Sequence, residues 1–239
     1  MRTLWVVGDP GAGQATTMRE GSGRGDLRPE WRDHYGRVRK DALAPTSWSN
    51  RRRLRLLGVD GIGRNGPVLD LGAGDGNLTH TLRGLGFRRI VSVELQPELA
   101  AAHGTGAVVA GCATRIPLAS GSIDTAVVMD VLHHLRADEV DLALDELRRV
   151  LRPGGTALVC EPAATPLRAV LDPLLRSPLG GATRFSRSKR EMVALEWPTL
   201  GPWLDAEPAA ADRYLGAGFV LGSFRRRGLH HLARLRRPA

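Results

Sequence analysis

Three glycines at alternate positions follow a short apolar run and lead into a segment with helical spacing, and together they define the first unit of the fold. Residues 68–71 read Val-Leu-Asp-Leu, and Gly72, Gly74 and Gly76 follow. This order predicts a strand-to-helix turn whose backbone N–H groups face a ligand. The spacing differs from the Gly-x-Gly-x-x-Gly of dinucleotide sites. Asp70 beside the turn suits a ligand's ammonium group better than a pyrophosphate, which a carboxylate repels.

Short apolar runs alternate with helical stretches along most of the chain. The predicted elements are strands 67–71, 89–94, 107–110, 123–129, 156–160, 219–224 and 230–235, and helices 77–85, 97–102, 137–151 and 209–215. In the longest helix Val140, Leu144 and Leu147 recur at spacings of four and three, and the Pro-Gly-Gly of residues 153–155 ends it. Such alternation predicts a parallel sheet covered by helices on both faces, and the last two strands are predicted to form a hairpin.

Composition places the chain among ordinary globular proteins. It has 239 residues, of which 42% are hydrophobic and 25% charged, enough for one domain with a sizeable core. Its two cysteines, Cys112 and Cys160, match neither a disulfide framework nor a paired-ligand metal site, so no metal is expected. The apolar runs are too short for a membrane span or a signal peptide. We therefore expect a cytoplasmic protein with no transmembrane segment.

The formal charge of +9 raises the question of nucleic acid binding. Its distribution argues against that partner, because residues 1–60 carry +5, residues 61–212 carry −3 and residues 213–239 carry +7. The basic excess lies at the two ends, and no interleaved aromatic residues accompany the C-terminal arginines. We expect arginines 225–227 to occupy a solvated hairpin turn, and nucleic acid is not the expected partner.

The pattern divides the chain into a leader and one domain. Residues 1–27 are rich in Gly, Ser and Thr without periodicity and are predicted to be a flexible leader, before a domain over residues 28–239. Residues 28–60 have helical spacing. Residues 162–208 interrupt the alternation with proline-rich turns around a helical piece at 188–195.

A second polar residue stands where the next predicted strand ends. A carboxylate in the position of Glu94 can accept two hydrogen bonds from a ribose diol. The alternative is a solvated acid at a strand end. A glycine-rich turn followed by a downstream acid favours the ligand-binding interpretation.

Four segments in combination carry a resemblance to a known family. They are residues 68–79, 91–97, 110–118 with Ser122-Ile123-Asp124, and 128–135 with 146–155. Together they resemble the class I S-adenosylmethionine-dependent methyltransferases of the small-molecule type, well over residues 66–161 and in outline over 209–235. The resemblance implies a Rossmann-like, seven-stranded, mostly parallel sheet with helices on both faces and an antiparallel last strand.

The resemblance also implies a cofactor site. S-adenosylmethionine would be bound and S-adenosylhomocysteine released. The glycine-rich turn would hold the methionine part, Glu94 the ribose, and Met129 and Asp130 would line the methyl-donor end. The implied cofactor-binding residues are Asp70, Gly72, Ala73, Gly74, Gly76, Asn77, Glu94, Leu95, Cys112, Ala113, Met129 and Asp130.

One residue departs from the family pattern. The segment 110–118 usually offers an acid to the adenine amino group, and this chain has Cys112 there. A thiol is a poor hydrogen-bond acceptor, and the loss of one such bond costs about 0.5–1.5 kcal/mol. We expect weaker cofactor binding, and the departure keeps a non-methylating relative open as an alternative.

Candidate catalytic and substrate-binding residues follow from the same resemblance. His133 and His134 lie just past the strand that faces the methyl group, where either can serve as a general base or merely shape the loop. Residues 28–60 would form a helical lid and residues 162–208 a substrate-side insertion. The candidate substrate-binding residues are Trp31, Tyr35, Trp48, Phe185 and Trp197, with plain helix packing as the alternative for each.

The sequence thus predicts an S-adenosylmethionine-dependent methyltransferase for a small biosynthetic intermediate, either a secondary metabolite or a lipid-like molecule. One alternative is a protein of this fold that catalyses a cyclisation or rearrangement without methyl transfer. A further alternative is an RNA methyltransferase, suggested by the basic ends. A monomer and a homodimer both stay open.

Overall fold

A computed structural model describes residues 47–96, 107–177 and 184–239. The predicted leader 1–27, helix 97–102 and the candidates Trp31 and Tyr35 lie outside these residues, as does the side chain of Phe185. None of the helices in the described part is long and apolar enough to cross a membrane.

Seven strands of the described residues form one sheet in the order β3-β2-β1-β4-β5-β7-β6. Their bounds are β1 Val68–Leu71, β2 Ile90–Glu94, β3 Ala107–Ala110, β4 Ile123–Met129, β5 Leu151–Pro162, β6 Val220–Arg227 and β7 His230–Arg236. β1 to β5 run parallel, and β7 runs antiparallel to both of its neighbours. The predicted mostly parallel sheet with an antiparallel last strand is confirmed.

Helices cover both faces of this sheet. They are α1 Ser47–Leu56, α2 Asn77–Gly84, α3 Ala137–Val150, α4 Pro166–Arg176, α5 Arg184–Ala206 and α6 Ala210–Gly216. Apolar residues of α1 and α2 pack in one buried cluster with Val127, whereas those of α3, α5 and α6 pack in another with Val128. Adjacent residues of β4 thus face opposite helical layers, and both are buried, as expected of an interior parallel strand.

β5 is longer than predicted. The Pro-Gly-Gly of residues 153–155 lies within β5 instead of ending the preceding helix in a turn. Gly154 N donates to the carbonyl of Arg237 at 3.0 Å, and Arg237 N donates to the carbonyl of Gly155 at 2.9 Å. Pairing with the chain beyond β7 therefore holds these residues in β5, with Gly154 at φ +73°, and this long-range cause is not visible in the local sequence.

Two further predictions are corrected by the structure. Arginines 225–227 end β6 and do not occupy the hairpin turn, because Arg226 Nε reaches the buried carboxylate of Glu207 at 3.0 Å. The proline-rich region 162–208 contains two helices, α4 and α5, in place of one short helical piece. Pro166 begins α4, where a missing N–H costs nothing, and Thr165 caps it by accepting from Arg168 N at 3.3 Å.

Candidate active site

The parallel strands bring the candidate residues to one edge of the sheet. Because β1, β2, β4 and β5 are parallel neighbours, their carboxyl ends meet there, the usual ligand-binding edge of such sheets. The glycine-rich turn follows β1, Glu94 ends β2, Asp130 follows β4, and Glu161 is the penultimate residue of β5.

The glycine-rich turn forms an open cradle. Gly72, Gly74 and Gly76 have φ angles of +73°, +53° and +80°, a region that other residues rarely adopt. A Cβ on Gly72 would lie 2.5 Å from Val131 Cγ2, whereas no atom of the described residues, apart from the two chain neighbours, lies within 4 Å of a Cβ built on Gly74. The turn is thus tightly packed at its base and open at Gly74, which fits the backbone contact with a ligand that the sequence predicts.

Glu94 ties β2 to this turn. Its Oε2 accepts from Gly74 N at 2.7 Å and its Oε1 accepts from Gln96 N at 3.0 Å. Burial raises the pKa of Glu94, and these backbone hydrogen bonds oppose that rise. Each carboxylate oxygen keeps lone-pair capacity, so Glu94 can still accept from a ribose hydroxyl.

Asp70 belongs to β1, and its side chain is directed towards Thr79 of α2 instead of to the open side of the turn. Its side chain is 0% exposed, and Thr79 Oγ1 donates to Oδ2 at 2.5 Å. Burial raises the pKa of Asp70 to about 7. Oδ1 has no partner among the described residues. As placed, Asp70 supports the turn from within, and its predicted contact with a ligand's ammonium group stays a prediction.

Cys112 lies just beyond β3, close to the chain segment of Glu94. Its Sγ lies 3.0 Å from Thr114 Oγ1, and Gly111 N donates to the carbonyl of Glu94 at 2.8 Å. Leu95 directly follows β2, and Ala113 packs against the core cluster that contains Val93 of β2. The thiol is half-buried and already has a hydroxyl neighbour, so no strong acceptor stands at this position.

Asp130 presents a fixed negative charge at the end of β4. It is the one non-glycine residue with positive φ, +57°, among those described. Its Oδ2 lies 2.6 Å from Arg53 Nη1 and its Oδ1 lies 3.5 Å from His230 Nε2. Burial alone would raise the pKa of Asp130, but the hydrogen bond from His230 and the charge of Arg53 together lower it, so the carboxylate stays ionised. The side chain of Met129 packs in the core with α1 and α2, so only its backbone borders this edge.

Glu161, which the sequence did not single out, holds the segment that follows Asp130. Its side chain is 0% exposed, and its Oε1 accepts from Val131 N at 2.8 Å and Leu132 N at 3.0 Å. Its Oε2 lies 2.9 Å from His133 Nδ1. The sequence feature that could have identified Glu161 is its position directly after the apolar run of residues 156–160. An acid there is expected to be buried, and buried acids are rare unless they are paired.

The pair of His133 and Glu161 is arranged as an oriented base. Burial lowers the pKa of His133 to about 4 and raises the pKa of Glu161 to about 7, the charge of Asp130 adding to the latter. His133 is therefore neutral near pH 7. When Nδ1 carries the proton and donates it to Glu161, Nε2 keeps a lone pair that can accept a proton from a substrate.

His134 and Glu196 complete this cluster. The rings of His133 and His134 have centroids 3.9 Å apart. One ligand atom from each of His133, His134 and Glu196 lies within 4.8 Å of the others, a set that can also take a divalent cation. Glu196 belongs to α5, so the predicted insertion contributes to the cluster. The sequence did not suggest this set because its members are far apart along the chain.

The structure places the candidate substrate tryptophans differently. Trp197 is half-buried on α5, with the guanidinium of Arg176 4.1 Å from its ring centroid. Trp48 is 71% exposed and lines a separate cavity with Arg51, Arg52, Arg55 and Leu56. Leu54 of α1 meets the core, whereas Trp48 lies on the outward face of the helix with Leu56, and its predicted contact with a substrate stays a prediction.

Comparisons with known proteins agree with this geometry. A protein-family model described as a methyltransferase domain matches residues 69–159. The chain is similar to a demethylmenaquinone methyltransferase from Mycolicibacterium paratuberculosis, 32% identical over 67% of this chain and 70% of that one. It is also similar to a ubiquinone/menaquinone biosynthesis C-methyltransferase from Rubrivivax gelatinosus, 35% identical over 39% of this chain and 38% of that one. Other curated relatives are matched over about half of their length.

A solved structure shows the same fold. The 1,6-didemethyltoxoflavin-N1-methyltransferase of Burkholderia thailandensis, solved with S-adenosylhomocysteine, superposes with a TM-score of 0.58. It is 20% identical, and the match covers 88% of this chain and 86% of that one. At this identity the likeness concerns the fold alone.

Proposed function

The chain belongs to the class I S-adenosylmethionine-dependent methyltransferases, and we propose that it methylates a ring carbon of a hydroxylated aromatic small molecule of the quinol type. The family fixes the cofactor and the reaction. The finer assignment of the acceptor is supported by the relatives named for demethylmenaquinone and for C-methylation. The observation that carries the proposal is the buried pair of His133 and Glu161 at the carboxyl end of the sheet.

The residues at the sheet edge fit the cofactor. Gly72 to Gly76 would hold the methionine part through the open backbone at Gly74, and Glu94 would accept from the ribose hydroxyls. Residues 111–113 would border the adenine. When bound, S-adenosylmethionine supplies a methyl group on a positively charged sulfur. The ionised carboxylate of Asp130, which is paired with Arg53, lies at this edge and would offset part of the positive charge of the sulfur.

The acceptor is activated by His133. Its Nε2 takes the proton of a ring hydroxyl, and the resulting oxyanion raises the electron density of the adjacent ring carbon. Glu161 stabilises the imidazolium that forms, as an acid hydrogen-bonded to Nδ1 does in other general-base pairs. After the carbon has gained the methyl group, it loses its own hydrogen as a proton and the oxygen is reprotonated from His133. The net release is one proton.

The wall opposite the cofactor would be formed by α5. We propose that the acceptor lies between His133 and the face of α5 that carries Glu196, within the predicted insertion 162–208. The predicted lid 28–60 would close the same space. Positioning of the ring carbon in line with the sulfur then supplies much of the barrier reduction.

Methyl transfer from labelled cofactor tests the proposal. The full chain is incubated with methyl-labelled S-adenosylmethionine and reduced demethylmenaquinone, and the matched control is menaquinol, whose ring carbon already carries the methyl group. We expect label on the ring carbon of the first acceptor and none on the second. Turnover of the acceptor without label would instead support a cyclisation or rearrangement. When RNA is added beside the acceptor, label found only in the RNA would support the RNA alternative.

Replacement of Cys112 by an acidic residue is expected to raise the affinity for the cofactor. We expect Cys112→Asp to bind S-adenosylhomocysteine about 2- to 10-fold more tightly, because a carboxylate restores one hydrogen bond to the adenine amino group, worth about 0.5–1.5 kcal/mol. Titration calorimetry measures the change, and Cys112→Ser, with a weaker acceptor, is the control. Equal or weaker binding by Cys112→Asp would show that the adenine lies elsewhere.

A further inference from the structure

One face of α1 is basic and carries an exposed tryptophan. Trp48, Arg51, Arg52, Arg55 and Leu56 follow the spacing of a single helix face and line a cavity of about 270 Å³. Trp48 is 71% exposed, although a tryptophan is usually mostly buried. This face points away from the packed side of α1.

The tip of the C-terminal hairpin continues this face. Arg227, Gly228 and Leu229 line a second cavity, of about 340 Å³, together with Arg52 and Leu56. Arg225 Nη2 donates to the carbonyl of Leu56 at 2.7 Å. The two elements therefore form one continuous region, which we call the arginine surface and which consists of Arg51, Arg52, Arg55, Arg225 and Arg227.

The arginine surface is strongly basic. Neither residues 47–56 nor residues 213–239 contain an Asp or Glu. Three other arginines of these segments have acidic partners: Arg53 pairs with Asp130, Arg213 with Asp141 and Arg226 with Glu207. In the part of the chain that the structure describes, no carboxylate pairs with any member of the arginine surface, so its cations face outward.

An exposed apolar row borders the hairpin tip. Leu167, Val170 and Leu174 of α4 are 49%, 67% and 49% exposed and lie at spacings of three and four, on one side of the helix. α4 is fastened to the hairpin, since Thr165 Oγ1 donates to the carbonyl of Gly228 at 2.7 Å and Arg168 Nη2 donates to that of Leu229 at 3.1 Å. Three large apolar side chains in a row are unusual on a free surface.

We propose that the arginine surface, Trp48 and the apolar row of α4 bind the surface of an anionic lipid bilayer. Arginines attract the headgroups, an exposed tryptophan is suited to the headgroup level, and exposed leucines and valine reach the start of the acyl chains. RNA would use the arginines but leaves the apolar row unexplained, and Trp48 offers a single stacking surface. The inference goes beyond the proposed function and does not depend on it.

Sedimentation with lipid vesicles tests the inference without reference to methyl transfer. The full chain is mixed with vesicles of phosphatidylglycerol and phosphatidylcholine in equal parts, or of phosphatidylcholine alone. We expect cosedimentation with the first that weakens as salt is added, and little with the second. Equal binding to both vesicles, or displacement of bound vesicles by homopolymer RNA, would overturn the proposal.

Matched arginine variants locate the surface. The triple variant Arg51→Gln, Arg52→Gln, Arg55→Gln should bind the anionic vesicles on the order of 100-fold less tightly, since three cations near the headgroups are lost. The control removes the same charge at the amino ends of β2 and β5 and is Arg88→Gln, Arg89→Gln, Arg152→Gln, all exposed. We expect the control to bind like the natural chain. A separate variant, Val170→Asp, should also weaken binding. Equal loss in both triple variants, or no loss in the first, would contradict the inference.

Discussion

Replacement of Gly74 by leucine is expected to weaken S-adenosylmethionine binding by about 100-fold or more, equivalent to about 2.8 kcal/mol. Gly74 has φ +53°, and no atom of the described residues, apart from the two chain neighbours, lies within 4 Å of its Cβ position, so a side chain there enters the space assigned to the cofactor. Titration calorimetry with S-adenosylhomocysteine measures the loss.

The control for backbone strain is Gly86→Leu. Gly86 has φ +91° and a Cβ position equally free of described atoms, but it lies between α2 and β2, away from the carboxyl ends of the strands. Both variants force a side chain into the left-handed region, which costs about 1–2 kcal/mol of folding free energy. Both should therefore melt earlier, and only Gly74→Leu should lose cofactor binding. Unchanged affinity in that variant would show that the turn is not the cofactor site.

Glu161→Gln is expected to lower turnover on the order of 100-fold or more while cofactor affinity stays the same. A glutamine can still hydrogen-bond to His133 but carries no charge to stabilise the imidazolium. In the natural chain the pair of His133 and Glu161 holds a proton below pH 7 and loses it as the pH rises, because burial raises the pKa of Glu161 to about 7. The rate should therefore rise with pH to a plateau above pH 7, and this rise should disappear in the variant.

A second buried pair supplies the control. Glu207 is 1% exposed, and its Oε1 lies 3.0 Å from His231 Nδ1, so Glu207→Gln disturbs a similar pair, next to Glu161 across β5 and β7, whose hydrogen bonds do not include His133. We expect Glu207→Gln to destabilise the fold and to keep the pH profile. Activity that survives a chelator supports His133 as a base, whereas loss of activity to the chelator would make the cluster with Glu196 a metal site. Full turnover by Glu161→Gln would contradict the assigned role.

The parts of the site that are local in sequence could be predicted, and those that depend on pairing could not. The glycine-rich turn and Glu94 could each be identified from their position at the end of a single apolar run. The hydrogen bond between His133 and Glu161 joins residues 28 positions apart, and nothing in either neighbourhood specifies it. For Trp48 the helix was predicted correctly, but which of its faces meets the core depends on tertiary packing.

The same distinction explains the fold. Strands β3 and β4 have the predicted bounds because continuous apolar runs suffice for buried parallel strands. β5 begins earlier than predicted because residues beyond β7 pair with it. β6 ends later than predicted because Arg226 forms an ion pair with Glu207. In these places partners distant in the chain hold charged and glycine-rich residues in a strand, which local propensity cannot do.

The position of β7 bears on how the protein is made. β7 follows β6 along the chain yet lies between β5 and β6, so one hydrogen-bonding edge of β5 stays open until residues 230–236 have left the ribosome. A nascent chain stalled before that point would expose twelve residues of a long strand, apolar over much of its length, and such edges invite pairing with other chains. β7 therefore inserts between two strands that precede it in the chain, and chaperone protection would be most needed before residues 230–236 are available to pair.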